Sequence, residues 1–169
     1  MIFSEKNKIV SALSPIDNTG GAATVCDIVS MKGYDHATFI ITFGVVDDSM
    51  IGTLKAYKGE DFVTCTTAFA CKYRYGATMG AGASDTLAGL ETLPVAGESL
   101  ATGTDADVVA APCTIVVEID AADLEPTIAN PYDTIRVGWT NSGVETLTSI
   151  VCILSKARHL SDTQPTAIA

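Results

Sequence analysis

The chain predicts an all-β fold, a two-sheet antiparallel β-sandwich, and three observations carry that prediction. Apolar and polar residues alternate with a period of two in one segment after another, as in HATFIITFGVV, CTIVVEID and YDTIRVGWT. A period of two buries one face of a strand and leaves the other wet. Turn-forming clusters of Gly, Pro, Asn and Asp separate these segments at short intervals. No stretch carries the 3.6-residue apolar period of a long amphipathic helix. Roughly seven short strands with turns between them make a sandwich, and a jelly roll is one arrangement that fits.

The length of 169 residues suits a single domain, residues 1–169. Residues 1–21 read as a polar N-terminal arm, closed by the turn cluster SPIDNTGG. A first strand is expected over Ala23–Met31, followed by the turn KGYD. His36–Val46 is the clearest strand of the first half. Phe39, Ile41, Phe43 and Val45 share one parity, and Thr38, Ile40 and Thr42 share the other. GTLKAYK gives a short strand with Leu54 and Ala56 opposed to Lys55 and Tyr57. Val63–Tyr75 alternates again and reads as one strand.

Residues 76–112 form a long Gly/Ala-rich loop with five acids and no Lys or Arg, and one weak strand or helical turn is expected around Leu87–Leu93. A connection of that length marks a functional or subunit-joining segment. In Cys113–Asp120, Ile115, Val117 and Ile119 form the inward set. AADLE then makes a helical turn with Asp120 placed to cap it, and Pro126 and Pro131 confine the chain that follows. Trp139 shares its parity with Ile135 and Val137, which predicts that it is buried between the sheets. The last strand, TLTSIVCILS, is apolar at both parities, as in a central strand or one covered on both sides. Residues 159–169 read as a polar C-terminal arm leaving the body.

Charge excludes one class of partner. Twenty acidic against ten basic side chains give a net charge of −10, and no three basic residues run together. Phosphate-backbone binding needs a concentrated positive footprint, so direct nucleic-acid binding is not expected. Apolar runs are too short to span a bilayer. The opening MIFSEKNK lacks the apolar core of a secretory signal, so synthesis in a cytosol is expected. Cys26, Cys65, Cys71, Cys113 and Cys152 lie in or beside apolar strands without any CxxC spacing, which predicts five free, buried thiols.

The chemistry-bearing residues form no known constellation. GAGASDT (Gly80–Thr86) lacks the GKS or GKT ending of a phosphate loop and reads as flexible linker. His36 and His159 are not spaced as a ligand pair. Asp47 with Asp48, and Asp105 with Asp107, lack the spacing and closing glutamate of a calcium loop. Glu118 and Asp120 share a strand face, as a glycosidase pair would, but two acids on a wet face are ordinarily solubilising. Tyr57, Tyr73 and Tyr75 could stack on a sugar, although core or subunit contact is the preferred reading. Neither GxSxG nor a protease Cys/His motif occurs. No catalytic, cofactor-binding or metal residue is assigned, and the chain is not expected to be an enzyme.

Three passages carry a family resemblance: KGYD leading into ATFIITFG and GTLKAYK, then IVVEIDAADLE, then YDTIRVGWTNSG with TLTSIVCILSKARH. In that order they resemble the head decoration (cement) and auxiliary capsid proteins of tailed bacteriophages. The resemblance covers most of the chain except residues 76–112, and its motifs are structural rather than catalytic. It implies a virion protein on the capsid surface that associates with itself as a homotrimer and with the major capsid protein. It implies no cofactor, nucleic acid or membrane. A receptor- or glycan-binding knob of a tail or fibre is the rival reading, and a cellular carbohydrate-binding module a further one.

Overall fold

The computed structural model describes residues 3–18, 23–46, 52–76, 86–99, 114–140, 146–158 and 166–168. One helical turn, α1 (Phe3–Lys6), precedes β1 (Lys8–Asn18), β2 (Thr24–Val25), β3 (Val29–Ser30), β4 (Tyr34–Val46) and β5 (Thr53–Gly59). Then follow β6 (Thr67–Phe69), β7 (Cys71–Tyr75), β8 (Glu91–Leu93), β9 (Glu98–Ser99) and β10 (Thr114–Asp120). A 3₁₀ turn (Ala121–Leu124) leads to β11 (Thr134–Trp139) and β12 (Thr146–Ala157). Among the described residues no helix is long and apolar enough to cross a membrane.

The strands form two antiparallel sheets, ordered β1-β12-β4-β10-β7-β8 and β2-β11-β5-β6, with β3 also on β11 and β9 also on β5. The chain is therefore an all-β sandwich. Its pairing is nested: β1 with β12, then β2 and β3 with β11, then β4 with β10, then β5 with β6. Successive pairs alternate between the sheets, which is the wrapping of a long hairpin into a jelly roll. The β7–β8 hairpin extends the first sheet beyond β10.

The inner faces are the parities read from the sequence. Phe39, Ile41 and Phe43 of β4, Ile115, Val117 and Ile119 of β10, and Ile150, Cys152 and Leu154 of β12 are buried. They pack on Leu54 and Ala56 of β5 and on Ile135, Val137 and Trp139 of β11 within one core cluster. Trp139 is 2% exposed and meets the ring of Phe43 edge-on, with centroids 5.1 Å apart. Its predicted burial between the sheets holds.

Four expectations need correction. The N-terminal arm is largely a strand: β1 pairs with β12 from Lys8↔Leu154 to Asn18↔Thr146, and Val10 and Ala12 enter the core. The alternation in KIVSAL is real but short, and Pro15 beside a register shift hides its continuation. The described part of the C-terminal arm returns to the body instead of leaving it. The Ser30 amide donates to the Ala167 carbonyl at 2.8 Å, Val29 bridges Ile168, and Ala167 is 4% exposed.

Ala23–Met31 is two short strands rather than one. Val63–Tyr75 also breaks, because the Asp61 carboxylate accepts from the Val63 and Thr64 amides at 2.8 and 2.6 Å and ties those residues into a turn. The alternating run starts only at Thr67 and passes from one sheet to the other at Ala70. Of the long loop, the structure describes the bridge Gly76–Leu87 and the strands β8 and β9. Residues 77–85 and 100–112 lie outside the described residues, as do Asp47, Asp48, Asp105, Asp107, Cys113 and His159.

Candidate functional site

Cross-strand register brings together on one sheet face what the sequence left apart. On β4 and β10 the pairing Asp120↔His36 and Glu118↔Thr38 puts His36 against both carboxylates. His36 Nδ1 lies 2.8 Å from Asp120 Oδ1, and Nε2 lies 3.8 Å from Glu118 Oε2 and 3.2 Å from Thr38 Oγ1. Lys156 of β12 adds its ammonium 3.8 Å from Asp120. The acids address opposite ring nitrogens, so they cannot share one metal ion with the imidazole. Among the described residues no group of three or more His, Cys, Asp or Glu could hold a metal.

The order hydroxyl, imidazole, carboxylate is that of an activated nucleophile. Here Glu118 crowds the nitrogen that faces Thr38, and all of these groups stand on an open sheet face. On that face the two acids stand against the imidazole and the Lys156 ammonium.

The rest of the face is aliphatic at its centre. The register aligns Ser11, Val151, Ile40, Val116 and Arg74 in one row across β1, β12, β4, β10 and β7. The next row is Ile9, Ile153, Thr38, Glu118 and Lys72. Ile40, Val116, Val151 and Ile153 are half-buried, and Ile9 is 56% exposed. This is the second apolar parity that the sequence showed in the last strand. The flanking cations are occupied: Lys72 donates to the Thr92 hydroxyl at 2.7 Å and Arg74 to the Ala88 carbonyl at 3.4 Å.

A groove of about 610 Å³ opens at one end of the sandwich beside β6, between the 3₁₀ turn and Tyr132. Its floor is Lys58, whose side chain is 7% exposed and lies on the parity of Leu54 and Ala56. The ammonium donates to the Leu124 carbonyl at 2.8 Å and sits 3.5 Å from Glu125 Oε2. It also lies 4.9 Å from the Tyr132 ring centroid and 5.7 Å from that of Phe69. Sequence reasoning passed over Lys58. Its parity in GTLKAYKG was the available signal, since a residue two beyond Ala56 faces inward. A smaller groove of about 260 Å³ lies on the other side of Tyr132, lined by Met31, Pro126, Pro131, Asp133 and Arg158 among others. Burial raises the Asp133 carboxyl above its ordinary range, although Lys32 pulls the other way.

The tyrosines divide between the faces. Tyr73 is 2% exposed, stacks on Tyr75 at 6.3 Å and donates its hydroxyl to Glu91 at 2.9 Å. Burial, aided by that carboxylate, raises its phenol well above the usual range. Tyr57 stands on the outer face of the second sheet with the Arg136 guanidinium 5.3 Å from its ring centroid. The three do not form one stacking platform.

No protein-family model matches the chain, and no curated protein matches it. Among solved structures, it is similar to a chain in the structure of infectious bursal disease virus Gx strain, at 10% identity and a TM-score of 0.28. That match covers 89% of this chain and 40% of the viral one. A chain in the structure of the Gt strain of the same virus gives 9% identity and a TM-score of 0.28, covering 96% and 43%. The chain thus spans about two fifths of the length of the viral chains it matches. Superposition at that level carries no functional information.

Proposed function

We propose that the protein is a structural component of a virion, binding an assembled capsid and stabilising it. The observation that carries this reading is where its outward-facing groups are spent. The acids on the large sheet are turned to His36 and Lys156, and the surface they border is aliphatic. An aliphatic surface whose bordering polar groups are already partnered suits packing against protein better than turning over a small molecule. The three passages that resemble phage decoration proteins fall on β4–β5, on β10 with the 3₁₀ turn, and on β11–β12, the strands at the centre of both sheets. The edge strand β1, eleven residues long, offers a backbone that a neighbour can pair with. Each bound copy then stabilises the assembled shell over its dissociated subunits by mass action, and many copies on one lattice add their effects.

The test is binding of the purified protein to shells stripped of it, followed by heating of the decorated and bare particles. Decoration should raise the temperature at which shells open. A protein that ignores shells but binds a host-cell surface or an immobilised glycan is a fibre knob, and the capsid reading falls.

A further inference from the structure

The two outer faces of the sandwich use their cations differently. On the large sheet Lys72, Arg74 and Lys156 each have an acceptor. On the second sheet the side chains of Lys55 and Arg136 have neither an ion pair nor a hydrogen bond among the described residues. We infer that this second face docks an acidic, extended segment of a partner protein, with carboxylates two residues apart seated on Arg136 and Lys55.

Register builds the site. β11 and β5 pair Arg136 with Tyr57 and Gly138 with Lys55, and β2 sets Val25 on the other side of Gly138. Lys55, Tyr57 and Arg136 stand half-buried on the outward parity, opposite Leu54, Ala56, Val137 and Trp139. Arg136 and Lys55 are therefore diagonal neighbours on one face, about 7 Å apart. Alternate residues of an extended chain point to the same side at intervals of about 6.6 Å, which matches that spacing. Val25 is 38% exposed and packs on Gly138, where a Cβ would collide with it, so it gives the segment an apolar flank.

Arg136 is set up for a carboxylate rather than for the fold. Its Nε is buried without a partner, while Nη1 and Nη2 are open to solvent, and the guanidinium is held 5.3 Å from the Tyr57 ring centroid. A buried donor without an acceptor costs stability, so the fold gains little from this side chain. What it leaves outward is the pair of nitrogens that grips a carboxylate bidentately.

Charge selects the occupant. A phosphate backbone needs a continuous basic track, and two cations on a chain of net charge −10 are not one. Screening over about 8 Å at physiological salt lets the local pair outweigh the distant acids. Two carboxylates beside an apolar contact belong to protein. The inference goes beyond the capsid reading and stands without it.

The probe is a short capped peptide alternating valine and glutamate, titrated at low salt into the isotopically labelled full chain and followed by NMR. The buried Nε–H of Arg136 gives a resonance identified by its loss in Arg136→Leu. It should shift with the peptide while those of Arg74 and Arg158 stay in place. Arg136→Leu should raise the Kd, read from the Tyr57 amide, by about tenfold, and because it removes an unpartnered donor it should not lower the melting temperature. Lys55→Gln takes away the second charge without touching the guanidinium and should also weaken binding. A peptide of the same composition with adjacent glutamates, which point to opposite sides, should bind more weakly. An unmoved Arg136 resonance, equal binding of the adjacent-glutamate peptide, unchanged binding in either variant, or tighter binding of an oligothymidylate overturns the inference. Stripped-shell binding is read separately, so failure of the capsid role and failure of this site are distinct outcomes.

Discussion

The ammonium of Lys58 donates to the main-chain carbonyl of Leu124 at 2.8 Å, joining the second sheet to the connection that closes one end of the sandwich. Lys58→Met keeps the apolar stem and strands that buried carbonyl without its donor. A hydrogen bond from a charged group contributes about 1.5–3 kcal/mol, and the variant should lose about that much in urea titration. An unchanged midpoint and slope would show that the contact contributes nothing.

Trp139 against Phe43 supplies an optical reporter of the core. Native emission should be blue-shifted and move to the red on unfolding, and Trp139→Ala should cost about 3–5 kcal/mol. A solvent-like native spectrum contradicts the buried indole.

The described cysteines, Cys26, Cys65, Cys71 and Cys152, are free and buried. Burial pushes the thiols of Cys26 and Cys71 up to about 12 and that of Cys65 to about 11, against an ordinary 9.0, and raises Cys152 as well. A thiol-specific reagent at pH 8 should leave these four untouched until the protein unfolds. The pH dependence has a definite sign. The unfolded chain loses these protons near pH 9 while the folded chain keeps them, so stability is flat below pH 9 and falls above it. Each buried thiol takes away about 1.4 kcal/mol per pH unit until its own folded value is reached. A melting temperature constant from pH 8 to 10.5 would contradict this.

Gly59 ends β5 where the Thr64 carbonyl and Cys65 Cα pass so close that a Cβ would collide with backbone, whereas a Cβ on Gly89 would meet nothing within 4 Å. Gly59→Ala should therefore cost several kcal/mol and Gly89→Ala less than about 1. Equal melting temperatures for the two variants would show that the Thr64 turn yields freely.

The strands of long, regular period were legible in the sequence: β4, β5, β10, β11 and β12 lie within a few residues of where alternation places them. What failed was local chemistry acting against a pattern. Asp61 gathers the Val63 and Thr64 amides and shortens an alternating run that has no other reason to stop. Register was invisible, because the partner of His36 is Asp120, eighty-four residues on, and nothing near either residue says so. That is why two acids and a histidine weighed separately became one cluster. The buried Lys58 escaped because charge was given more weight than parity. The double apolar parity of β12 reads as a central strand or one covered on both sides; β12 is central, between β1 and β4, and among the described residues only its inner face is covered.

The nested pairing also sets the order in which the molecule can come into being. β1 has no sheet to join until β12 exists, and Val29 waits for Ile168. During synthesis Ile9, Val10 and Leu13 stay exposed until β12, more than a hundred residues on, has been translated. Contacts this distant in sequence make folding slow, and a stalled or truncated chain is left as an unpaired edge that other nascent chains can join. Emergence of β12, rather than of any earlier strand, is then the event that commits the sandwich to its fold.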